Sequence, residues 1–169
     1  MLIRNFFAKL LLPLLALVPW NVTLIIAQEH PKAKAQEHPQ VKSLYERLGG
    51  VYAIATVVDD FIERLLVNDI LNANPKIKEA RDRVPKAGLK YQVTALVSQV
   101  TGGPEKYAGR SMKDSHAHLN ITEKEWQAMV ADFKITLNKF KVPAKEQEEL
   151  ITIVATTKPD IVTSAAKPN

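Results

Sequence analysis

The chain has no cysteine, which excludes disulfides, a thiolate metal site and a c-type haem held by thioether bonds. Any cofactor has to be held non-covalently or through histidine and carboxylates. Aromatic residues are 7% of the 169 positions and glycines number only six, which disfavours a sandwich or barrel with many turns. Other signatures are missing too. There is no HExxH helix, no histidine-carboxylate cluster, no serine or cysteine nucleophile motif and no phosphate loop. Gly102-Gly103 lacks the preceding strand that a dinucleotide fingerprint requires.

What is present is alanine, leucine, lysine and glutamate at helical spacing, so the expected fold class is all-α with one core. The formal charge is +5. Arg4 and Lys9 lie in a leader without acidic residues, so a chain beginning at Gln28 loses two of its 23 basic residues against 18 acidic ones and keeps +3. Lysines are interleaved with glutamate and aspartate along the chain. That is a solvated surface, and no nucleic-acid partner is expected.

Arg4 and Lys9 precede an apolar run from Leu10 that resumes from Val22 to Ala27, the layout of an export signal. Pro13, Pro19 and Asn21 interrupt it, so residues 1–27 read as a signal peptide cleaved after Ala27, the alternative being an uncleaved membrane anchor. Either places the domain outside the cytoplasm, in the periplasm or an equivalent space. Residues 28–42 are a polar linker built on a duplication, AQEHPKAK from Ala27 and AQEHPQVK from Ala35. His30 and His38 belong to it and are expected to be solvated.

The domain is expected over residues 43–165. Ser43-Leu-Tyr-Glu46 and Thr122-Glu-Lys-Glu125 fit capping boxes. Ile54, Val57, Val58, Phe61, Ile62, Leu65 and Leu66 form one apolar stripe on a helix running to about Asn68. Asp69 to Pro85 reads as a loop or a short exposed helix. Leu89, Val93, Leu96, Val97 and Val100 mark a helix that Gly102-Gly103 ends, and Pro104 suits the first turn of a short helix after it. Trp126, Met129, Val130, Phe133, Leu137 and Phe140 face inward on a long helix. Pro143 starts the last one, with Leu150, Ile151 and Val154 inward, ending before Pro159.

Only His116 and His118 are imidazoles of the folded part. On a helix they lie about 200° apart, so they cannot hold the same metal atom. His116 shares a face with Met112, and a histidine so placed is more often a packed or surface residue than a ligand. A lone axial imidazole suits haem far better than zinc, because a porphyrin supplies four donors and zinc needs three or four from the protein.

Four pieces in register then resemble the truncated haemoglobins of group I: Leu44-Tyr-Glu-Arg-Leu-Gly-Gly50, Gly102-Gly-Pro104, Tyr107-Ala-Gly109 and Met112-Lys-Asp-Ser-His116. The resemblance runs from about Leu44 to Val162. It implies a shortened globin fold, a two-over-two helical sandwich, around a non-covalent haem b whose iron is held by His116. Phe61 matches the aromatic residue near the haem, and Met112 and Tyr107 match residues near the proximal side. The next position after Phe61 is usually a ligand-holding tyrosine and is Ile62 here. The positions that often carry glutamine fall on Leu89 and Val93, with Gln92 beside them as the one candidate donor. The aromatic expected near Asn74 or Pro75 is missing.

The function so implied is reversible binding of a diatomic gas (O2, CO or NO), with a reductase as a possible partner and the membrane reached only through an uncleaved leader. A haem enzyme such as an NO dioxygenase or peroxidase is the alternative, and it would need Gln92 as donor. A globin-shaped interaction module without haem is the second alternative, motivated by the missing aromatic and the charged stretch Lys76 to Arg83.

Overall fold

Ser43 and Thr122 open their helices as the spacing requires. In a computed structural model, which describes residues 41–163, Ser43 Oγ accepts from the Glu46 N–H at 3.2 Å and the Glu46 carboxylate accepts from the Ser43 N–H at 2.7 Å. The same reciprocal pair joins Thr122 and Glu125, at 3.3 and 2.6 Å. The expected signal peptide, all but the last two residues of the linker, and the end of the tail lie outside the described residues.

The first box starts α1 (Leu44–Arg47), and a left-handed turn at Gly49, φ +92°, leads into α2 (Gly50–Val67). Then come α3 (Asp69–Asn72), α4 (Pro75–Arg83), α5 (Lys86–Val100), α6 (Met112–His116) with a 3₁₀ turn Ala117–Leu119, α7 (Glu123–Lys139), α8 (Ala144–Thr156) and α9 (Lys158–Ile161). Among the described residues the only β-type pairing is an isolated bridge between Ile121 and Val162. No helix among them is long and apolar enough to cross a membrane.

The stripe on α2 does what its period implies. Ile54, Val58 and Ile62 are buried and pack against Leu89, Val93 and Val97 of α5. Leu44, Phe133, Leu137 and Leu150 form a second cluster among α1, α7 and α8. Phe61 belongs to both, its ring centroid 5.1 Å from that of Phe133. The pair α2–α5 is thereby stacked on the pair α7–α8, a two-over-two helical sandwich.

Three expectations need correction. Asp69–Pro85 is two helices, because Asn68 and Asn74 each cap one: Asn68 Oδ1 accepts from Ile70 and Leu71 N–H, and Asn74 Oδ1 from Lys76 and Ile77 N–H. Pro104 starts no helix, since residues 103–111 form an extended loop before α6. Val100 is 45% exposed, so the inward stripe of α5 ends at Val97. In addition the chain resumes after α8 for one more turn, with Pro159 in the first turn of α9 where its missing N–H costs nothing.

Polar ties that no local pattern announces hold the pairs together. Asp60 on α2 accepts from Arg64 Nε at 2.9 Å, from the fully buried Thr136 hydroxyl at 3.1 Å, and from Lys139 of α7. Arg47 joins α1 to α8 through Glu146, at 3.3 Å, and Glu149.

The Lys139 ammonium, with Arg64 and Thr136 after it, holds the Asp60 carboxyl below its usual value against the opposing effect of burial. A carboxyl with a depressed folded value adds stability that is present above its unfolded value, near pH 4, and is lost as pH falls through the folded value. Asp60→Asn should therefore lower stability at pH 7 by about 1 kcal/mol, a few degrees in Tm. It should also flatten the loss of stability as pH falls below about 4, which urea melts at stepped pH would show.

Candidate haem site

The loop that delivers α6 is shaped by two tyrosines lying over two glycines. Gly102 takes φ +92° and its N–H donates to Gln99 O at 3.2 Å, while the Gly103 N–H donates to Ser98 O at 2.7 Å, ending α5. A Cβ on Gly103 would stand 2.5 Å from the Tyr45 ring and 2.8 Å from Ser98 O. Tyr45 in turn donates its N–H to Thr101 O at 2.8 Å and its hydroxyl to Glu105 at 3.2 Å, and accepts from the Val51 N–H at 3.1 Å. Further on, the Tyr107 ring lies where a Cβ on Gly109 would be, 2.4 Å away, and its hydroxyl donates to Arg110 O at 2.7 Å.

Ser111 then caps α6, its Oγ accepting from the Asp114 N–H at 3.0 Å. His116 is the last residue of this helix and is half-buried, with Met112 half-buried one turn before it. His118, two residues on, is exposed, as the angle between them requires.

His116 Nδ1 is 2.8 Å from the Met112 carbonyl oxygen. A carbonyl can only accept, so Nδ1 carries the proton and, in the neutral ring, Nε2 keeps its lone pair. Burial pushes the imidazole below its usual value, the Met112 carbonyl opposes that, and the His118 charge adds to it. The ring is thus oriented by its backbone partner and neutral at physiological pH, with one nitrogen free to bind a metal.

On the other helices the structure brings Phe61, Ile62, Leu89 and Val93 into one apolar cluster, with Ile62 only 3% exposed. None of these side chains can donate a hydrogen bond. Gln92, between Leu89 and Val93, has its Oε1 buried without a hydrogen-bond partner. Tyr107 stands apart from this group, its hydroxyl committed to the loop it shapes. The residues fit a haem: a neutral imidazole oriented by its backbone partner, with an apolar cluster on the other helices. Among the described residues no cluster of three or more histidines and carboxylates offers a site for a free metal ion.

Comparison with known proteins agrees. The family model of the bacterial-like globins matches residues 43–163. The group 1 truncated haemoglobin of Synechocystis is 33% identical over 119 residues, covering 68% of this chain and 88% of the relative. The chain belongs to the group 1 truncated haemoglobins. A relative from Mycolicibacterium paratuberculosis is 27% identical over 124 residues, with 73% of this chain and 87% of the relative covered. Among solved structures, a 2/2 haemoglobin of Synechococcus, described in the cyanomet state with covalently attached haem, superposes with a TM-score of 0.64 at 25% identity, covering 72% of this chain and 98% of that one. The truncated haemoglobin of Tetrahymena pyriformis in its Fe(III) form shares the fold at a TM-score of 0.61, with 23% identity and 73% and 100% coverage.

This truncated haemoglobin also carries site-shaping residues that sequence reading passed over. Asn74 and Arg81 fix α4, with Asn74 Nδ2 donating to Leu119 O at 3.0 Å and Arg81 donating to Leu66 O at 2.6 Å. An asparagine directly before Pro75 is a helix-start signal and pointed to the first of them. Nothing local pointed to Arg81.

Gly103→Ala should be severely destabilising, by about 2 kcal/mol or more, because its Cβ meets a ring and a backbone carbonyl that cannot both retreat. Thermal unfolding should show it, with Gly88→Ala, where a Cβ meets nothing within 4 Å, as the neutral or mildly stabilising control.

Proposed function

We propose that this chain is an exported haem protein that binds a diatomic gas reversibly, with His116 as the axial ligand. The observation that carries the assignment is the His116 imidazole, whose Nδ1 proton is fixed on Met112 O and whose Nε2 stays free in a half-buried setting. Haem b, when bound, supplies the iron that takes O2, CO or NO. The chain supplies the rest. His116 provides one nitrogen, and Met112 orients it. Phe61, Ile62, Leu89 and Val93 keep water from the apolar side and leave a gas ligand without a donor from the positions that usually carry one.

An absorption spectrum of the purified domain with added hemin tests this. A strong band near the violet edge that shifts with CO is expected. His116→Ala should lose the band or change its character, and His118→Ala should keep it. An unchanged spectrum in His116→Ala would overturn the assignment.

The polarity of the ligand side sets how tightly O2 is kept. A donor to a partly charged ligand in a low-dielectric pocket contributes about 1 to 3 kcal/mol, and Ile62 supplies none. Rapid O2 release and weak discrimination between O2 and CO follow, which is a poor basis for a reaction that needs retained O2. Gln92 is the remaining donor candidate; its buried atom is Oε1, an acceptor, so it would serve a gas ligand only with Nε2 turned toward that ligand. Ile62→Tyr should slow O2 release severalfold or more, and Gln92→Leu should speed it. Stopped-flow O2 displacement by CO measures both, and two unchanged rates would remove these residues from the ligand pocket.

Export rests on Arg4, Lys9 and the apolar stretch ending at Ala27. In that setting an external reductase keeps the iron ferrous. Cell fractionation, with the mature N-terminus read by mass spectrometry, distinguishes a cleaved leader from a membrane anchor.

A further inference from the structure

The resemblance calls for an aromatic residue near Asn74 or Pro75, and the structure gives Asn74 three hydrogen bonds instead. Its Oδ1 caps α4, accepting from the Lys76 N–H at 2.9 Å and the Ile77 N–H at 3.4 Å. Its Nδ2 donates to Leu119 O at 3.0 Å, across 45 residues of chain. Leu119 closes the 3₁₀ turn that follows His116, and Asn120 after it turns left-handed at φ +53°. The Leu119 carbonyl at this helix end has no onward helical donor, and Asn74 satisfies it.

The rest of α4 is weakly held. It has no buried residue, and its other cross-element anchor is Arg81, bound to Leu66 O and to Asn72. Yet α4 packs on the turn after His116 at one end and leads directly into α5, which carries Leu89, Gln92 and Val93, at the other. It is therefore a strap between the segment that bears the axial imidazole and the helix that bears the apolar wall.

We propose that the Asn74–Leu119 hydrogen bond is the latch of this strap and that Asn74 is a positioning residue for haem retention. A directional bond between two chain segments does the closing that an aromatic contact would otherwise do. The inference rests on the haem assignment made above and concerns how long the cofactor stays.

Asn74→Asp is the informative variant. Its carboxylate keeps both cap acceptors and loses the Nδ2 donor, so it opens the latch without uncapping α4. Two measurements are needed: haem loss from the loaded protein to an excess of apomyoglobin, and amide hydrogen exchange at residues 76–83 in the haem-free protein. Both should become about tenfold faster in Asn74→Asp, the equivalent of roughly 1.4 kcal/mol, while the melting temperature of the haem-free protein moves by no more than a few degrees. Asn74→Ala, which loses cap and latch together, should be at least as fast.

Haem loss in Asn74→Asp within twofold of wild type overturns the proposal, as does acceleration in Asn74→Ala alone, which would assign the effect to the cap. If the wild-type chain takes up no hemin, the haem assignment falls and the retention claim with it. The exchange comparison then still decides the latch, since unchanged protection of 76–83 in Asn74→Asp would remove it.

Discussion

Close packing of the Tyr45 ring on the bare backbone of Gly103 is the contact on which the site depends. Tyr45 joins four pieces of chain at once: its own turn, the start of α2 through the Val51 N–H, the end of α5 through Thr101 O, and the following loop through Glu105. Only a residue without a Cβ leaves room for both the ring and the Ser98 carbonyl, which lie 2.5 and 2.8 Å from where a Cβ would stand. The chain must leave α5 in the direction this contact allows, and Tyr107 over Gly109 turns it again. The position of α6, and of His116 on it, is the sum of these two turns. The Leu-Tyr-Glu-Arg-Leu-Gly-Gly and Gly-Gly-Pro pieces, far apart in sequence, are two halves of one joint.

Periodicity and capping made the long helices legible. Ile54, Val58 and Ile62 recur at four and are buried, and both capping boxes close as their residue types require. The failures have physical causes. Asp69 to Pro85 is too charged to show an apolar stripe, and its helices depend on asparagine caps and on Arg81 reaching a carbonyl of α2. Pro104 suits a helix start, but Gly103 and Tyr45 have already fixed an extended path there. Val100 sits past the end of the α2 contact, so the same spacing that buries Val97 leaves it in water. Ties such as Asp60 to Thr136 and Lys139, or Arg47 to Glu146, join residues more than seventy positions apart, and no local pattern marks them.

Of the candidate site, the separation of the two imidazoles was legible and the protonation of His116 was not. Helical spacing separates His116 from His118, and the structure leaves one half-buried and the other exposed. The proton position follows only from geometry, because the carbonyl that fixes it belongs to Met112, four residues back in the helix. That spacing has a further effect: a ring tied to its own helix cannot rotate independently of it, so whatever holds α6 holds the imidazole. Ser111 caps the helix at its start, and the segment after it is fixed by Asn74 on Leu119 O and by the Thr163 N–H on Ile121 O at 3.0 Å.

Buried polar atoms without partners differ in what they cost. Arg47 Nε, Arg81 Nε and Glu105 Oε2 belong to groups already bonded through another atom, so their cost is partial. Ser98 Oγ lies in a fully buried side chain whose own carbonyl receives the Gly103 N–H, where a small residue is required and its hydroxyl is incidental. Gln92 is different, because a long amide could turn to water and its Oε1 is instead shut away. Leaving such a group unmet costs about 1 to 3 kcal/mol, a sizeable share of the roughly 5 to 15 kcal/mol that holds a domain folded. That oxygen only accepts, so a hydrogen-bond donor alone could recover the energy, and O2, CO and NO have no hydrogen to donate. Ile62, Leu89 and Val93 form an apolar cluster whose side chains have no donor to offer that oxygen.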